Sequence, residues 1–152
     1  MRLRNHAARA LAVLSVATAG FLATGAPASA ATTEFGQTQT LANGALVCGG
    51  NLRAWATTDP GWRNNAILNV QALPLNGFGS SASFAPVCDV GVNVHWRNLN
   101  TGQQGDWPFV LVAGMYGSIL YSEFKDVGIG RIVVDITTSM PHIPGHGEFN
   151  NP

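Results

Sequence analysis

Beyond residue 30 the chain alternates apolar and polar positions with a period of two, and helical periodicity is missing. The clearest run is CDVGVNVHWRN, residues 88–98. Cys88, Val90, Val92, Val94 and Trp96 share one parity, and Asp89, Gly91, Asn93, His95 and Arg97 share the other. Successive side chains of a strand point to opposite faces, so this run has one apolar face and one wet face. A second run, ALVCGGNLRAWATT, sets Leu46, Cys48, Leu52, Ala54 and Ala56 against Asn51, Arg53 and Thr57. Its Gly49 and Gly50 predict a bulge, since glycine inside a strand commonly marks one. Ahead of it FGQTQTLA is joined through Asn43 and Gly44, a short-range hairpin signal. Further strands are predicted at NAILNVQAL, stopped by Pro74, at PFVLVAG, at GSILYSEF and at GRIVVDITTS, where Ile132, Val134 and Ile136 oppose Arg131, Val133, Asp135 and Thr137.

Turn clusters punctuate these runs at TTDPGWRNN, LNGFGSS, NLNTGQQGDWP and KDVGIG. About seven short strands with Gly, Asn and Pro between them, and no helix intervening, predict an all-β, antiparallel sandwich or barrel. No internal repeat, linker or second domain is visible.

The first thirty residues follow a different rule. Arg2, Arg4 and Arg9 precede the apolar run LAVLSVATAGFLATG, which ends in APASA with Ala28 and Ala30 in the A-x-A positions. That is the layout of a cleaved signal peptide over residues 1–30, with a single secreted domain over 31–152. The apolar run is too short and weak for a membrane anchor, so no stable insertion is expected after cleavage.

Removing 30 of the 152 residues takes away three arginines. Lys and Arg then number 5 against 8 Asp and Glu, a net charge of −3. Such a chain has no basic footprint for nucleic acid. Export also places Cys48 and Cys88 in an oxidising compartment, where an even cysteine count predicts a disulfide. That bridge would cross-link an early and a middle strand, one sheet to the other.

Signatures of catalysis are mostly missing. There is no G-x-S-x-G elbow; Ser80 and Ser81 sit in a glycine-rich turn with no histidine near in sequence. GIGRIVV leads into a strand, not the helix that a nucleotide fingerprint requires. Among eight acids nothing selects a pair for hydrolysis of a glycosidic bond.

The segment SMPHIPGHGEFNNP carries His142 and His146, four apart, and then Glu148. Pro141, Pro144, Gly145 and Gly147 exclude a helix. A straight strand would hold the two histidines roughly 13 Å apart. Only a tight turn at Pro144 and Gly145 could bring them to one metal ion, with Glu148 as a third ligand. The plainer reading is a polar C-terminal segment without a metal. His95 reads as an exposed strand residue.

Trp96 has core parity. Trp55 has the outward parity unless the bulge resets it, and Trp62 and Trp107 fall in turn clusters. Loop tryptophans either plug the end of a sandwich or stand free to anchor a protein or stack on a sugar. If this chain has a binding surface of that kind, Trp62, Trp107 and Trp55 are its candidates.

The ending APASA, the hairpin FGQTQTLANGALVC and the strand GRIVVDITTSMPHI resemble the small secreted immunogenic proteins of mycobacteria and related actinobacteria. The last piece resembles that family through Gly130, Arg131, Ile132, Asp135, Ile136, Thr137 and Pro141. The resemblance covers about a third of the chain after residue 30, and its motifs are structural. It implies secretion, an immunoglobulin-like β-sandwich and no known enzymatic activity, and it brings no catalytic residue. The two cysteines depart from it, residues 58–110 align poorly, and a final apolar strand is missing unless GEFNNP replaces it.

The expectation is therefore a secreted or cell-envelope protein, immunoglobulin-like and non-enzymatic, without a cofactor. It would bind a protein or glycan partner at the bacterial exterior. The alternatives are a small exported hydrolase using scattered acids and histidines, and a weak transition-metal binder.

Overall fold

The computed structural model describes residues 29–44, 47–77 and 87–152. The expected signal peptide up to residue 28, Leu46, and the turn containing Ser80 and Ser81 lie outside the described residues. Those described form eleven strand segments: β1 (Ala31–Glu34), β2 (Thr38–Ala42), β3 (Cys48–Thr58), β4 (Asn65–Ala72), β5 (Asn76–Gly77), β6 (Cys88–Asn98), β7 (Gln104–Ala113), β8 (Tyr121–Asp126), β9 (Gly130–Thr138), β10 (His142–Ile143) and β11 (Gly145–Asn151). Among the described residues helix is limited to one 3-10 turn, Pro60–Trp62, capped by Asp59, whose side chain accepts from Gly61 N at 2.7 Å.

The strands make two antiparallel sheets. The first runs β10-β2-β3-β4-β8, with β1 and β5 also on β3; the second runs β11-β9-β6-β7. Alternation is obeyed where it was clearest. Val90, Val92, Val94 and Trp96 of β6 meet Leu52, Ala54 and Ala56 of β3 and Ile132, Val134 and Ile136 of β9 in one buried cluster. Cys48 and Cys88 are bonded across the sheets, from β3 to β6, with Cα atoms 6.3 Å apart. Beside them Asn43 and Asp89 exchange two backbone hydrogen bonds of 2.8 Å, a second link at the same end.

The register corrects several expectations. The bulge predicted at Gly49 and Gly50 lies on neighbouring chain instead. Ala72 faces Leu52 and Asn76 faces Gly49, so residues 73–75 stand against 50 and 51. Gly50 makes room for that bulge: a Cβ there would sit 2.7 Å from Leu75 Cδ2. On the other flank residues 35–37 stand against 53 and 54, which breaks one long strand into β1 and β2. The inward parity of β3 therefore never resets, and Trp55 faces outward.

Asn43 and Gly44 do connect neighbouring strands, but Ala42 pairs with Cys48, so the connection spans residues 43–47 and is no two-residue hairpin. Trp107, predicted in a loop, lies within β7, because pairing with β6 continues back to Gln104. Asn76 and Gly77 of the expected turn pair with β3, and β8 starts at Tyr121, not Gly117. The C-terminal segment is not a loose polar tail. His142 pairs with Thr40, and the whole of β11 pairs with residues 130–136 of β9. GEFNNP thus supplies an edge strand, with Phe149 buried against Phe35 at a ring separation of 6.2 Å.

Candidate functional site

The three candidate tryptophans do not share a surface. Trp55 lies on the outer face of the first sheet, with the Arg53 guanidinium 4.7 Å from its ring centroid. Glu34 grips that guanidinium from β1 at 3.0 and 2.5 Å, so Arg53 is fixed over the indole. Trp62 stands edge-on to Phe124, 5.6 Å between centroids. Trp107 points between the sheets and stacks on Phe109 at 4.5 Å; Phe109 in turn stacks on Tyr121 at 5.0 Å. All three are half-buried, each with an aromatic face or edge already engaged.

His142, His146 and Glu148 are also separated. His142 is on the first sheet and contacts Met140 O through Nδ1 at 2.8 Å. His146 is on the second sheet, with Nδ1 2.5 Å from Asp135 Oδ1. Glu148 holds Arg131 through both carboxylate oxygens. Among the described residues no three His, Cys, Asp or Glu side chains stand gathered for a metal ion.

Register creates instead an arrangement that spacing along the chain could not reveal. Asp106 faces His95, His95 faces Asp135, and Asp135 faces His146, one residue from each of β7, β6, β9 and β11. This row of alternating acid and imidazole crosses the outer face of the second sheet. His95 Nδ1 lies 3.1 Å from Asp106 Oδ1, and Asn93 Nδ2 donates to the same oxygen at 2.8 Å. The Asn93 amide, then His95, hold the Asp106 carboxyl below its usual range. Arg53 and Arg131 do the same for Glu34 and Glu148. The row lies on open surface, where water screens its charges.

The most exposed apolar side chains lie at the disulfide end. Gly114 and Gly117 exchange backbone hydrogen bonds of 3.1 and 2.9 Å, closing a two-residue turn at Met115 and Tyr116 between β7 and β8. Gly117 has φ +86° and a Cβ there would meet Ala72 O at 2.5 Å, so only glycine fits. Leu75 N donates to Gly114 O at 3.0 Å, and Ala72 N to Ser118 Oγ at 2.8 Å. The turn is thus bolted to the end of β4 and holds its side chains outward. Tyr116 is 90 % exposed and Ile119 75 %, with Met115, Leu120, Val112 and Val110 also exposed. From Trp107 through Ser122 there is no charged residue. Strands are predicted at PFVLVAG and GSILYSEF but no exposed surface between them, although PFVLVAGMYGSIL is apolar at both parities, more than one buried face can take.

No family model, no curated protein and no solved structure matches this chain.

Proposed function

We propose that this chain is a secreted, non-enzymatic binding module of the bacterial exterior, whose contact surface is the uncharged hairpin between β7 and β8. The observation that carries the reading is the rigid display of Met115, Tyr116, Ile119 and Leu120 in a segment free of charge. Water-exposed apolar side chains grouped in this way characterise interaction sites, and burying them needs no desolvation of charge. Aliphatic side chains with one tyrosine suit a protein partner better than a glycan. Sugar stacking calls for an aromatic platform, and this surface offers the single open ring of Tyr116, while Trp55 and Trp107 each have a face covered.

The reading includes export through the leader ending at Ala30, an immunoglobulin-like identity for the two sheets, and kinship with the secreted immunogenic proteins that the sequence resembles. The sheet-to-sheet disulfide and the two-sheet scaffold support it. A non-enzymatic role is supported by the placement of the acid–histidine pairs on open sheet surface, since preorganised electrostatic catalysis relies on a water-excluded site.

Two measurements test this. N-terminal sequencing of protein recovered from culture medium is expected to begin at Ala31. The recovered protein is expected to sediment with the envelope of the producing cells, and the variant Tyr116→Asp/Ile119→Asp to stay in the supernatant at unchanged melting temperature. Equal partition of the two proteins would remove the hairpin from the function.

A further inference from the structure

The row Asp106–His95–Asp135–His146 lies apart from the exposed hairpin's side chains, and its chemistry goes beyond complementary charge. We propose that His95, Asp135 and His146 form a binding site for one divalent first-row transition ion of the zinc class, on the outer face of the second sheet. Two imidazoles and one carboxylate on three adjacent strands are a donor set suited to such an ion. Asp135 is paired with His95 on one side and with His146 on the other, so the ion sits above Asp135 with one histidine on either flank. Strand spacing of about 4.8 Å places the backbones of His95 and His146 roughly 10 Å apart. Two imidazoles leaning inward, with metal–nitrogen bonds of about 2.1 Å, span that gap.

The existing contacts already hold part of this geometry. His146 Nδ1 and Asp135 Oδ1 lie 2.5 Å apart, adjacent nitrogen and oxygen donors that need only open slightly to take an ion between them. His95 turns Nδ1 toward Asp106 on the far side, and Asn93 steadies that carboxylate. With Nδ1 engaged by Asp106, the free donor of His95 is Nε2. A carboxylate bonded to the other ring nitrogen is the usual support of a metal-binding histidine, fixing its tautomer and raising its basicity. Asp106 is thus a positioning residue and Asp135 a ligand. The three ligands are not yet gathered about one point, and His95 completes the set by leaning toward β9. Their side chains are 38 %, 49 % and 69 % exposed, so this rearrangement disturbs no core packing.

The test is calorimetric titration of the purified, chelator-stripped protein with Zn2+. One ion per chain is expected. His95→Gln, Asp135→Asn and His146→Gln are each expected to weaken uptake at least about tenfold, and Asp106→Asn by about tenfold or more. His142→Gln should leave it unchanged. All these side chains reach solvent, so melting temperatures should fall only slightly, Asp106→Asn included, and separate loss of the site from loss of the fold. Imidazole proton signals give an independent reading in the unmutated protein: Zn2+ should shift those of His95 and His146 and leave those of His142 in place. Absence of uptake, uptake indifferent to His95→Gln and His146→Gln, or a shift confined to His142 would overturn the assignment.

Discussion

Gly147 sits between His146 and Glu148, where it looks like a spacer in a polar motif. Its role is steric: a Cβ there would lie 2.1 Å from Phe35 Cδ1, so the ring of Phe35 occupies the place of the missing side chain. Phe35 belongs to the bulged chain between β1 and β2, and no local pattern connects residues so distant in sequence. Gly147→Ala should force the ring off β11 and lower stability by about 1–3 kcal/mol, an overpacking cost read from urea unfolding. An unchanged midpoint would mean that the ring moves freely. Asn98 carries a comparable load through hydrogen bonds. It is fully buried, donates to Val127 O at 2.9 Å and Ile129 O at 3.0 Å, and accepts from Asn100 N and Thr101 N. Asn98→Ala leaves the buried Val127 O unpaired and frees three part-buried groups, and should cost about 1–3 kcal/mol. Its even parity beside Trp96 places it inward, but nothing local identifies it as the organiser of two loops.

At the scale of elements, what was legible depended on which side chains face inward. β6, β3 and β9 bury Val, Leu, Ile, Ala and Trp, so their alternation shows. β11 buries Gly145, Phe149 and Asn151 and turns Gly147 toward Phe35, a set that no hydropathy pattern marks as a strand. The acid–histidine row was invisible for a related reason, because it depends on registers between four strands, two of them edges. β7 shows how an edge is protected. Val112 N points away from β6 and donates to the Tyr121 hydroxyl at 3.1 Å, so even positions of β7 aim their N–H groups outward. Pro108 shares that parity and has no N–H to offer. Two of the outward positions are thereby closed to strand addition, one of the ways in which sheets avoid edge-to-edge association. The double variant Pro108→Val/Tyr121→Phe reopens them and is expected to self-associate in sedimentation velocity at concentrations where the parent stays monodisperse. A double variant sedimenting like its parent would place the protection elsewhere.

For the molecule as a whole, contacts among the described residues join the two sheets at both edges and at the disulfide end. Phe35 with Phe149 and Gly36 N with His146 O, at 2.8 Å, close one edge. Tyr121, with Phe109 and Val112, closes the other, and the disulfide closes one end. The ion pairs outside add a pH dependence whose sign follows from their carboxylates. Glu34, Asp106 and Glu148 are all held below their usual values, so each adds a small, water-screened stabilisation above the unfolded value of about 4 and loses it as pH falls through its lower folded value. The melting temperature should therefore be level from pH 7 to about 5 and decline below about 4, less steeply for Arg53→Gln/Arg131→Gln. A melting temperature steady to about pH 3 would assign these pairs no weight. The disulfide acts more strongly, and through the unfolded chain. It closes a loop of 40 residues, which in the chain-entropy account is worth about 4 kcal/mol. Both cysteines are buried at the end that carries the exposed hairpin, and Asn43 and Asp89 brace the same end independently of the sulfurs. Cys48→Ala/Cys88→Ala should accordingly keep the β circular-dichroism signature while its urea midpoint falls, by a free energy approaching about 4 kcal/mol. Loss of that signature in water would mean that the apolar core alone cannot hold the sheets together.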